Sequence, residues 1–555
     1  MDAVDAICNQ YVSDLVAYSP MAGTGLGRDL RPGELDDLSP DGLAELHRLT
    51  AEALAAVRAV TPASRDAEIA RATFIERSQV EVDRYDAGLV HANLNVMHSP
   101  VQEVRQVFDL MPTDTDDDWA NVAARLRAVP AALAGYRRSL QEAAGRGVVS
   151  ARRQAEQCAM QCDRWAGVVG DAPFFTELAA RAGRSGTLQA DLDAAAVDAA
   201  AAYAALAEFL RSDIAPIAPV KDAVGGDVYR LESRYFTGAA LDLQESYGWA
   251  WEEFAAIRAE MDEVAARLRP GRSLTETAES LDHYDAYVVR GQGAFRDWMQ
   301  QLSDTALAAV AGTHFDIPEP IRSLQCRIAP PGGNVGAYYV QPSDDLSRPG
   351  AMWWSVTADT DEFQTWRETS TVFHEGVPGH HLQLGTAVYA RDTLNDFERL
   401  LSFTSGHGEG WALYAERLMR ELGHFGDDGD LLGLLDSQLF RTARVILDIG
   451  MHLELEIPPG TGFHEGERWT PELGLEFLLT RTLTADQFAR DEIDRYLGWP
   501  GQAPAYKIGE RIWLQARTDA AARHGAAFDL KAFHTAALNL GSMGLDPLVE
   551  VLATL

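Results

Sequence analysis

The sequence has few cysteines. Four occur among its 555 residues, namely Cys8, Cys158, Cys162 and Cys326. This density is too low for a disulfide framework, so we expect reduced thiols in a reducing compartment. Cys158 and Cys162 are four residues apart, but no second pair completes a zinc knuckle.

The sequence also lacks long apolar runs. No uninterrupted stretch of about 18 apolar residues occurs, although a membrane-spanning helix needs that length. The first residues, MDAVDAICNQYVSDLVAYSP, contain no basic region ahead of an apolar segment, so they do not resemble a secretory signal. We therefore expect a soluble, cytoplasmic protein that does not bind membranes.

Basic residues are scarce as well. The chain has 48 Lys and Arg against 83 Asp and Glu, which gives a net charge of −35. Nucleic acids and anionic membranes are bound by clustered Lys and Arg, so neither is an expected partner. The excess acid indicates a well-solvated surface, and the alternative is a field that attracts cationic substrates.

Most of the chain has the spacing of amphipathic helices. Apolar residues recur at intervals of three and four in Leu43 to Val60, Gln189 to Arg211 and Ser246 to Leu268. Hydrophobic residues make up 46% of the chain, enough for a large core. The sequence therefore predicts a mainly α fold.

One region has the pattern of strands instead. Residues 329–356 contain a Pro-Gly turn, an aromatic run at Tyr338 and Tyr339, and a second turn before another aromatic pair. This pattern predicts two short strands. We expect one integrated unit with two subdomains: a helical part, residues 1–316, and a functional part with the small sheet, residues 317–555.

The motif FHEGVPGHHLQ follows directly and contains the metal-binding candidates His374, Glu375, His380 and His381. Zinc hydrolases need three protein ligands and an open fourth position for water. A glutamate beside the first histidine is then the general base. The common helical spacing is H-E-x-x-H, whereas here a proline and two glycines separate the histidines.

A regular helix through this motif does not produce a metal site. It would separate His374 from His381 by about 10 Å along its axis, and Pro378 cannot continue it. A bulge within residues 376–379 brings a later histidine back to the first. If the bulge contains two extra residues, His380 takes the position one helical turn after His374. If it contains three, His381 takes that position. His380 needs the smaller distortion, and His381 is the alternate ligand.

The sequence contains a control for this motif. A second FHEG occurs at Phe463 to Gly466, after a Pro-Pro-Gly turn and with no histidine following. This copy is predicted to be an ordinary loop. The first copy is informative because of the histidines that follow it and the acidic residues further along the chain.

Those acidic residues lie in the motif GEGWALYAERL. Glu409 and Glu416 are seven apart, on one helix face. A carboxylate from a facing helix is a common third zinc ligand. The alternative is a pair of surface glutamates, but the neighbouring Trp411 and Tyr414 indicate partial burial, and a buried carboxylate needs a cation or donor. His407 is a further candidate ligand.

Taken together, these residues resemble the bacterial DUF885 family, which is similar to distant helical zinc peptidases such as thimet-type oligopeptidases and carboxypeptidase Taq. The resemblance covers roughly residues 233–511, about half of the chain. The matching motifs are SRYFTG from Ser233, RPG from Arg348, FHEGVPGHHLQ from Phe373, EGWALYAERL from Glu409, RTARVILDIGMH from Arg441 and WPGQAPAYKIG from Trp499.

The resemblance implies a large helical zincin-like fold, with a small sheet beside the active-site helix and a deep central groove. Thimet-type enzymes have the motif HExGH, whose Gly-His aligns with Gly379-His380. They also have a glutamate ligand followed seven residues later by a second glutamate. This implies Glu409 as a ligand and Glu416 as the partner that supports the ligands.

The resemblance also implies residues that contact substrate. Tyr506 matches a substrate-facing tyrosine whose hydroxyl stabilises an oxyanion, although it is equally consistent with a core tyrosine. The strand at Tyr338 and Tyr339 is expected to pair with an extended peptide. The remaining candidates, of which the basic residues suit a peptide carboxylate, are Arg441, Arg444, His452, Lys507 and Arg511.

The predicted function is that of a zinc-dependent metallopeptidase of short peptides. His374, His380 and Glu409 would hold Zn²⁺, and Glu375 would take a proton from the metal-activated water. Mn²⁺ and Co²⁺ are alternatives, because nitrogen and oxygen ligands select weakly among such ions. The alternative functions are hydrolysis of a non-peptide amide and metal binding without catalysis.

Overall fold

The computed structural model describes residues 2–170, 173–329, 336–357 and 359–555. Helices account for 67% of it, and the strands are few and short, which confirms the mainly α prediction. The Pro-Gly turn expected at Pro331-Gly332 lies outside the described residues. Within the described chain, none of the helices combines the length and the apolar composition that crossing a bilayer requires.

The chain divides into two compact units. Unit 1 is Met1–Val224 with Asp491–Trp499, and unit 2 is Gly225–Arg490 with Pro500–Leu555. The boundary expected between residues 316 and 317 therefore lies inside unit 2.

Unit 1 is helical. One of its helices begins at a clear sequence signal: Ser39 caps it by accepting from the Gly42 N–H, and Pro40 follows at the first turn. The predicted helix from Gln189 is present and ends at Phe209. The helices of this unit are α1 Ala3–Tyr18, α2 Pro20–Gly25, α3 Pro40–Ala59, α4 Arg65–Asp86, α5 Pro100–Gln106, α6 Asp116–Gly145, α7 Arg152–Ala166, α8 Phe174–Arg181 and α9 Gly186–Phe209.

Unit 2 contains the motif residues. Its helices are α10 Gly225–Thr237, α11 Leu243–Leu268, α12 Leu274–Asp282, α13 Gln292–Val310, α14 Thr365–Glu375, α15 His380–Tyr389, α16 Asp396–Leu400, α17 Ser405–Glu421, α18 Asp428–Leu453, α19 Pro471–Arg481, α20 Asp486–Gly498 (which continues into unit 1), α21 Ala505–His524, α22 Leu530–Leu538 and α23 Leu545–Leu552. Its strands are β1 Val288–Arg290, β2 Leu324–Ile328, β3 Gly336–Val340, β4 Gly350–Ser355 and β5 Glu362–Gln364.

Helix α11 explains why the boundary differs from the expected one. Its Trp251 stacks on Trp469, with ring centroids 6.3 Å apart. Its Glu253 accepts a hydrogen bond from Lys507 at 3.1 Å. Because these contacts join residues more than 200 positions apart, the helical period of α11 contains no sign of them.

The five strands of the described chain form two small sheets. β1 pairs antiparallel with β5, and the other sheet has the order β2-β4-β3. In that sheet β2 runs parallel to β4, and β3 runs antiparallel to it, with Tyr339 opposite Met352. The two predicted strands are β3 and β4. The alternating Leu-Gln-Cys-Arg-Ile of β2 is the period-2 signal that would have predicted the third.

The three-stranded sheet lies beside the motif helix, as expected. Met352 of β4 and Leu324 of β2 share a buried cluster with Val372 of α14 and Phe295 of α13. The contact continues to the end of α14, where a Cβ on Gly376 would lie 3.2 Å from Leu324 Cδ2. The sheet therefore supports the point at which the motif helix ends.

Helix α17, which carries Glu409, packs closely against α21. A Cβ on Gly410 would lie only 2.4 Å from the Cα of Gly509, so glycine is required where the two helices touch backbone to backbone. This close packing fixes the position of Glu409, the residue before Gly410.

Candidate metal centre

The motif FHEGVPGHHLQ breaks its helix completely. α14 ends at Glu375 and α15 begins at His380, so the bulge expected over residues 376–379 is a turn between two helices. The N–H of Gly379 donates to the Phe373 carbonyl at 3.1 Å, which folds the turn back on the end of α14. The turn includes a cis peptide bond between Val377 and Pro378.

This turn depends on Gly379. A Cβ at this position would lie 1.9 Å from the carbonyl oxygen of His374, so no other residue fits. The turn is also attached to α17, because the indole N–H of Trp411 donates to the Pro378 carbonyl at 2.8 Å. The turn thus joins both histidines to the helix that carries Glu409.

The break brings three donor groups together. The donor atoms of His374, His380 and Glu409 all lie within 4.8 Å of one another. Oε2 of Glu409 is 3.1 Å from Nε2 of His374 and 3.4 Å from Nε2 of His380. The two imidazoles stand nearly perpendicular, at 85°. Both histidines are buried.

The two distances from Glu409 suit neighbouring ligands of one tetrahedral metal ion. Donor atoms with zinc bonds of about 2.0–2.2 Å lie roughly 3.3–3.6 Å apart around a tetrahedron. The two contacts of Glu409, at 3.1 and 3.4 Å, are close to that range. Two imidazoles and one carboxylate are also a ligand set that catalytic zinc uses. The donor set therefore fits a divalent ion.

The second nitrogen of His374 has a buried partner. Nδ1 lies 2.8 Å from Oε1 of Glu416, which is fully buried. The hydroxyl of Ser370 donates to the other oxygen of Glu416. Histidine ligands commonly donate their second N–H to a carboxylate in this way, which fixes the ring and makes the ligating nitrogen more basic.

The carboxylates determine the charge of His374. Burial alone disfavours an imidazolium, but the hydrogen bonds to Glu409 and Glu416 outweigh it and raise the pKa of His374 to about 10. For Glu409, burial acts in the opposite direction, yet attraction to His380 and His374 holds its pKa well below the usual value. The cluster therefore attracts positive charge.

Glu375, the predicted general base, is 7% exposed and directly follows His374. Burial raises the pKa of its carboxyl group, and His380 and His374 partly oppose that rise. A desolvated carboxylate beside the donor cluster accepts a proton more readily than an exposed one.

His381 does not join the cluster. Its Nε2–H donates to the Ile321 carbonyl at 2.8 Å, and its Nδ1 accepts from the hydroxyl of Tyr339 at 2.9 Å. Burial lowers the pKa of His381 to about 4, so it is neutral. With both nitrogens engaged, His381 attaches α15 to β3 and does not serve as the alternate ligand.

His407 also lies outside the cluster, so the prediction that it is a further ligand is wrong. Its Nδ1 accepts from the Met543 N–H at 3.1 Å, and its ring stacks on Trp513. Burial lowers its pKa to about 4. His407 supports the chain that leads to α23.

Tyr506 lies in the first turn of α21, one turn before Gly509, which touches Gly410. Arg444 places its guanidinium 4.7 Å from the centre of the Tyr506 ring, and equally far from Phe440. Arg444 therefore holds Tyr506 by a cation–π contact. The predicted role of Tyr506 in stabilising an oxyanion stays a prediction.

Arg441 differs from the other arginine candidates. Its guanidinium donates to the hydroxyl and carbonyl of Ser437, one turn earlier on α18. Within the described residues it has no carboxylate at ion-pair distance, and its Nε is buried without an acceptor. Its charge lowers the pKa of Glu416 and opposes the rise at Glu375.

Two basic candidates are already ion-paired, which argues against the predicted contact with a substrate carboxylate. The buried ammonium of Lys507 contacts Glu253, Gln438 and Glu510, and these contacts occupy its three donors. Arg511 forms a two-point ion pair with Glu245, at 2.6 and 2.9 Å.

His452 is fully buried, with its ring 5.6 Å from that of Tyr229. This position places it in the core of α10 and α18 and not in the donor cluster, which corrects its expected role in binding substrate.

The tyrosines of β3 lie on opposite faces of an edge strand. Tyr338 is exposed and stacks parallel to Trp353, whereas Tyr339 is the partner of His381. Since β3 has only β4 as a neighbour in the described sheet, its outer edge suits the predicted pairing with a peptide.

The second FHEG copy is a surface loop, as predicted. His464 is exposed and its two nitrogens lie 3.0 Å from carboxylates of Glu467 and Glu476. It has a positive φ of 38°, far from helical geometry.

Sequence reasoning missed two residues near the cluster. Ser370, the donor to Glu416, is four residues before His374, and that helical spacing would have indicated it. Gln383 is buried on α15 with both amide atoms lacking hydrogen-bond partners within the described residues. Its spacing of three from His380 places it on the same helix face.

Comparison with known protein families agrees with the family that the motifs resemble. The model of a family described as "Bacterial protein of unknown function (DUF885)" matches residues 20–552. The chain belongs to the DUF885 family. No match was found among curated proteins.

The DUF885 chain shares its fold with two solved structures. One is "the putative lipoprotein from Colwellia psychrerythraea", with a TM-score of 0.84 and 19% identity over 99% of this chain and 98% of the other. The second is "a putative lipoprotein of unknown function from Shewanella oneidensis", with a TM-score of 0.74 and 18% identity over 98% of both chains. These descriptions as lipoproteins contradict the cytoplasmic location expected from the sequence.

Proposed function

We propose that this DUF885 protein is a zinc-dependent metallopeptidase that hydrolyses short peptides. The observation that carries the proposal is the convergence of His374, His380 and Glu409 within 4.8 Å, with buried Glu375 adjacent. The resemblance of these motifs to helical zinc peptidases supports the same reaction. Mn²⁺ and Co²⁺ are alternative ions for the same ligands.

In this proposal each residue near the cluster has a defined task. His374, His380 and Glu409 hold the ion, and Glu416 fixes the ring of His374. When bound, the ion supplies a Lewis acid that polarises a carbonyl group and makes a water molecule more acidic. Glu375 accepts a proton from the attacking water and later returns it to the leaving amine.

The remaining candidates bind the substrate. Tyr506, held by Arg444, donates its hydroxyl to the developing oxyanion. The outer edge of β3 pairs with the extended peptide. Arg441 is the basic candidate whose guanidinium has no carboxylate partner in the described chain, so it is the one free to bind a substrate carboxylate.

The proposal is tested with a mixed peptide library and mass spectrometry. The zinc-loaded wild type is expected to cleave peptides, and the Glu375→Gln variant is expected to retain zinc without cleaving. If neither protein cleaves any peptide while both hold zinc, the proposal of a peptidase is overturned. A panel of non-peptide amides then distinguishes another amide hydrolase from a metal-binding protein without activity.

A further inference from the structure

The two histidines of the donor cluster are supported unequally. A histidine that binds a metal through one nitrogen needs an acceptor for the N–H of the other. His374 has this acceptor in Glu416, at 2.8 Å. The Nδ1 atom of His380 is buried and has no hydrogen-bond partner within the described residues.

A second polar group without a partner lies one helical turn away. The side chain of Gln383 is 5% exposed, and both its Nε2 and its Oε1 are buried without partners in the described part of the chain. The great majority of buried polar atoms in folded proteins are hydrogen-bonded. A buried amide with neither atom satisfied therefore requires an explanation.

Helix geometry directs these two groups toward each other. Residues three apart on a helix are neighbours on one face. Side chains also lean toward the helix N-terminus, so Gln383 covers the turn that contains His380, the first residue of α15. His381 is not a competing partner, because both of its nitrogens are already engaged.

We infer that Gln383 is the positioning residue of His380. When Nε2 of His380 holds the metal, the amide oxygen of Gln383 accepts the Nδ1–H, directly or through one water molecule. This inference rests on the proposed metal site and assigns to Gln383 the role that Glu416 has for His374. It also explains why a buried polar residue that costs folding stability is present.

The test compares four proteins by zinc affinity, measured by competition with a chromogenic chelator, and by the melting temperature without metal. The proteins are the wild type, Gln383→Met, Gln383→Glu and Thr386→Val. Gln383→Met removes the amide at similar volume, whereas Gln383→Glu keeps an acceptor. Thr386→Val is the matched control, because it removes another buried polar group of α15, whose hydrogen bond goes to the Leu382 carbonyl of the same helix.

Gln383→Met is expected to bind zinc about 10–100-fold more weakly than the wild type, with an unchanged or higher melting temperature. Gln383→Glu is expected to restore the affinity, and Thr386→Val to leave it unchanged. Unchanged affinity in Gln383→Met overturns the inference alone. A loss that accompanies a lower melting temperature and is not restored by glutamate also overturns it. A wild type that binds no zinc overturns the proposed function and this inference together.

Discussion

Glu409 and Glu416 contact opposite nitrogens of one imidazole. Oε2 of Glu409 is 3.1 Å from Nε2 of His374, and Oε1 of Glu416 is 2.8 Å from its Nδ1. The seven-residue spacing makes this possible, because it puts both carboxylates on the same face of α17, about two turns apart. One carboxylate is thus in the donor cluster while the other orients a donor.

This relationship predicts the effect of Glu416→Gln. An amide cannot stabilise the N–H of His374 as a carboxylate does, so zinc affinity should fall about 10–100-fold while the three ligands stay in place. Chelator competition measures the change. Glu421→Gln is the control, because Glu421 lies on the same helix but pairs with Arg517 at the surface. Equal affinities for the two variants would contradict the role of Glu416.

The two histidines of the donor cluster could be predicted from sequence because their local spacing identifies them. Pro378 and Gly379 indicate an interrupted helix, and the smallest distortion selects His380, which is the histidine found in the cluster. The form of the interruption was not predictable. A bulge and a complete break differ in contacts with distant residues, such as Trp411.

The hydrogen-bond partners of the basic candidates could not be predicted for the same reason. Lys507 and Arg441 both lie on helices next to motif residues, and their local patterns are alike. Lys507 donates to Glu253, which is 254 positions away, whereas the hydrogen bonds that Arg441 makes within the described residues go to Ser437 of its own helix. The unit boundary was missed for this reason too, since the contacts of α11 are equally long-range.

A second prediction separates His380 from His381. His380→Ala removes a donor of the cluster, so the variant should lose stoichiometric zinc. His381→Ala should keep zinc but lose stability by about 2 kcal/mol or more, because it removes a buried hydrogen bond to Ile321 and a partly buried one to Tyr339. Metal analysis and urea unfolding measure both effects. Zinc loss in His381→Ala with retention in His380→Ala would reverse the assignment.

A third prediction concerns the turn between α14 and α15. Gly379→Ala places a Cβ 1.9 Å from the His374 carbonyl, so the turn must move, at a cost on the order of 3 kcal/mol or more. Gly293→Ala is the control, because this exposed glycine of α13 has no atom within 4 Å of an added Cβ. It should be neutral or stabilising by about 0.5–1 kcal/mol. Similar unfolding curves for both variants would contradict the geometry of the turn.

A fourth prediction uses pH. Burial raises the pKa of Glu368 on α14 from its ordinary 4.5 to about 7, and the charge of Arg367 partly opposes this rise. The folded protein thus holds this proton more tightly than the unfolded chain does. The contribution of Glu368 is favourable below pH 4.5 and is lost as the pH rises to about 7.

Glu368→Gln removes this dependence on pH. The variant should melt a few degrees higher than the wild type at pH 8, since 1 kcal/mol shifts the midpoint by about 2–4 °C in a mid-sized domain. At about pH 4, where both side chains are uncharged, the two proteins should melt alike. A gain of the same size at both pH values would show that the carboxyl group is not responsible.

The fifth prediction uses the two FHEG copies as a matched pair. Glu375 is buried beside the donor cluster, whereas Glu465 is exposed in a loop and accepts from the Gly462 N–H. Glu375→Gln should reduce the rate of peptide cleavage by about 10²–10⁴-fold, as expected for a general base, without loss of zinc. Glu465→Gln should leave rate and zinc content unchanged.

The two variants show whether activity depends on the position of the glutamate in the fold or on the local sequence, because both glutamates lie in the same four residues, FHEG. Cleavage rates and zinc content of both variants are measured on the same peptide. If Glu375→Gln retained the full rate with zinc bound, Glu375 would not be the base, and another group would have to accept the proton of the attacking water. If it lost zinc as well as activity, the side chain would be part of the metal-binding site. The cleavage rate of the variant in excess zinc would then show whether Glu375 also acts as the base.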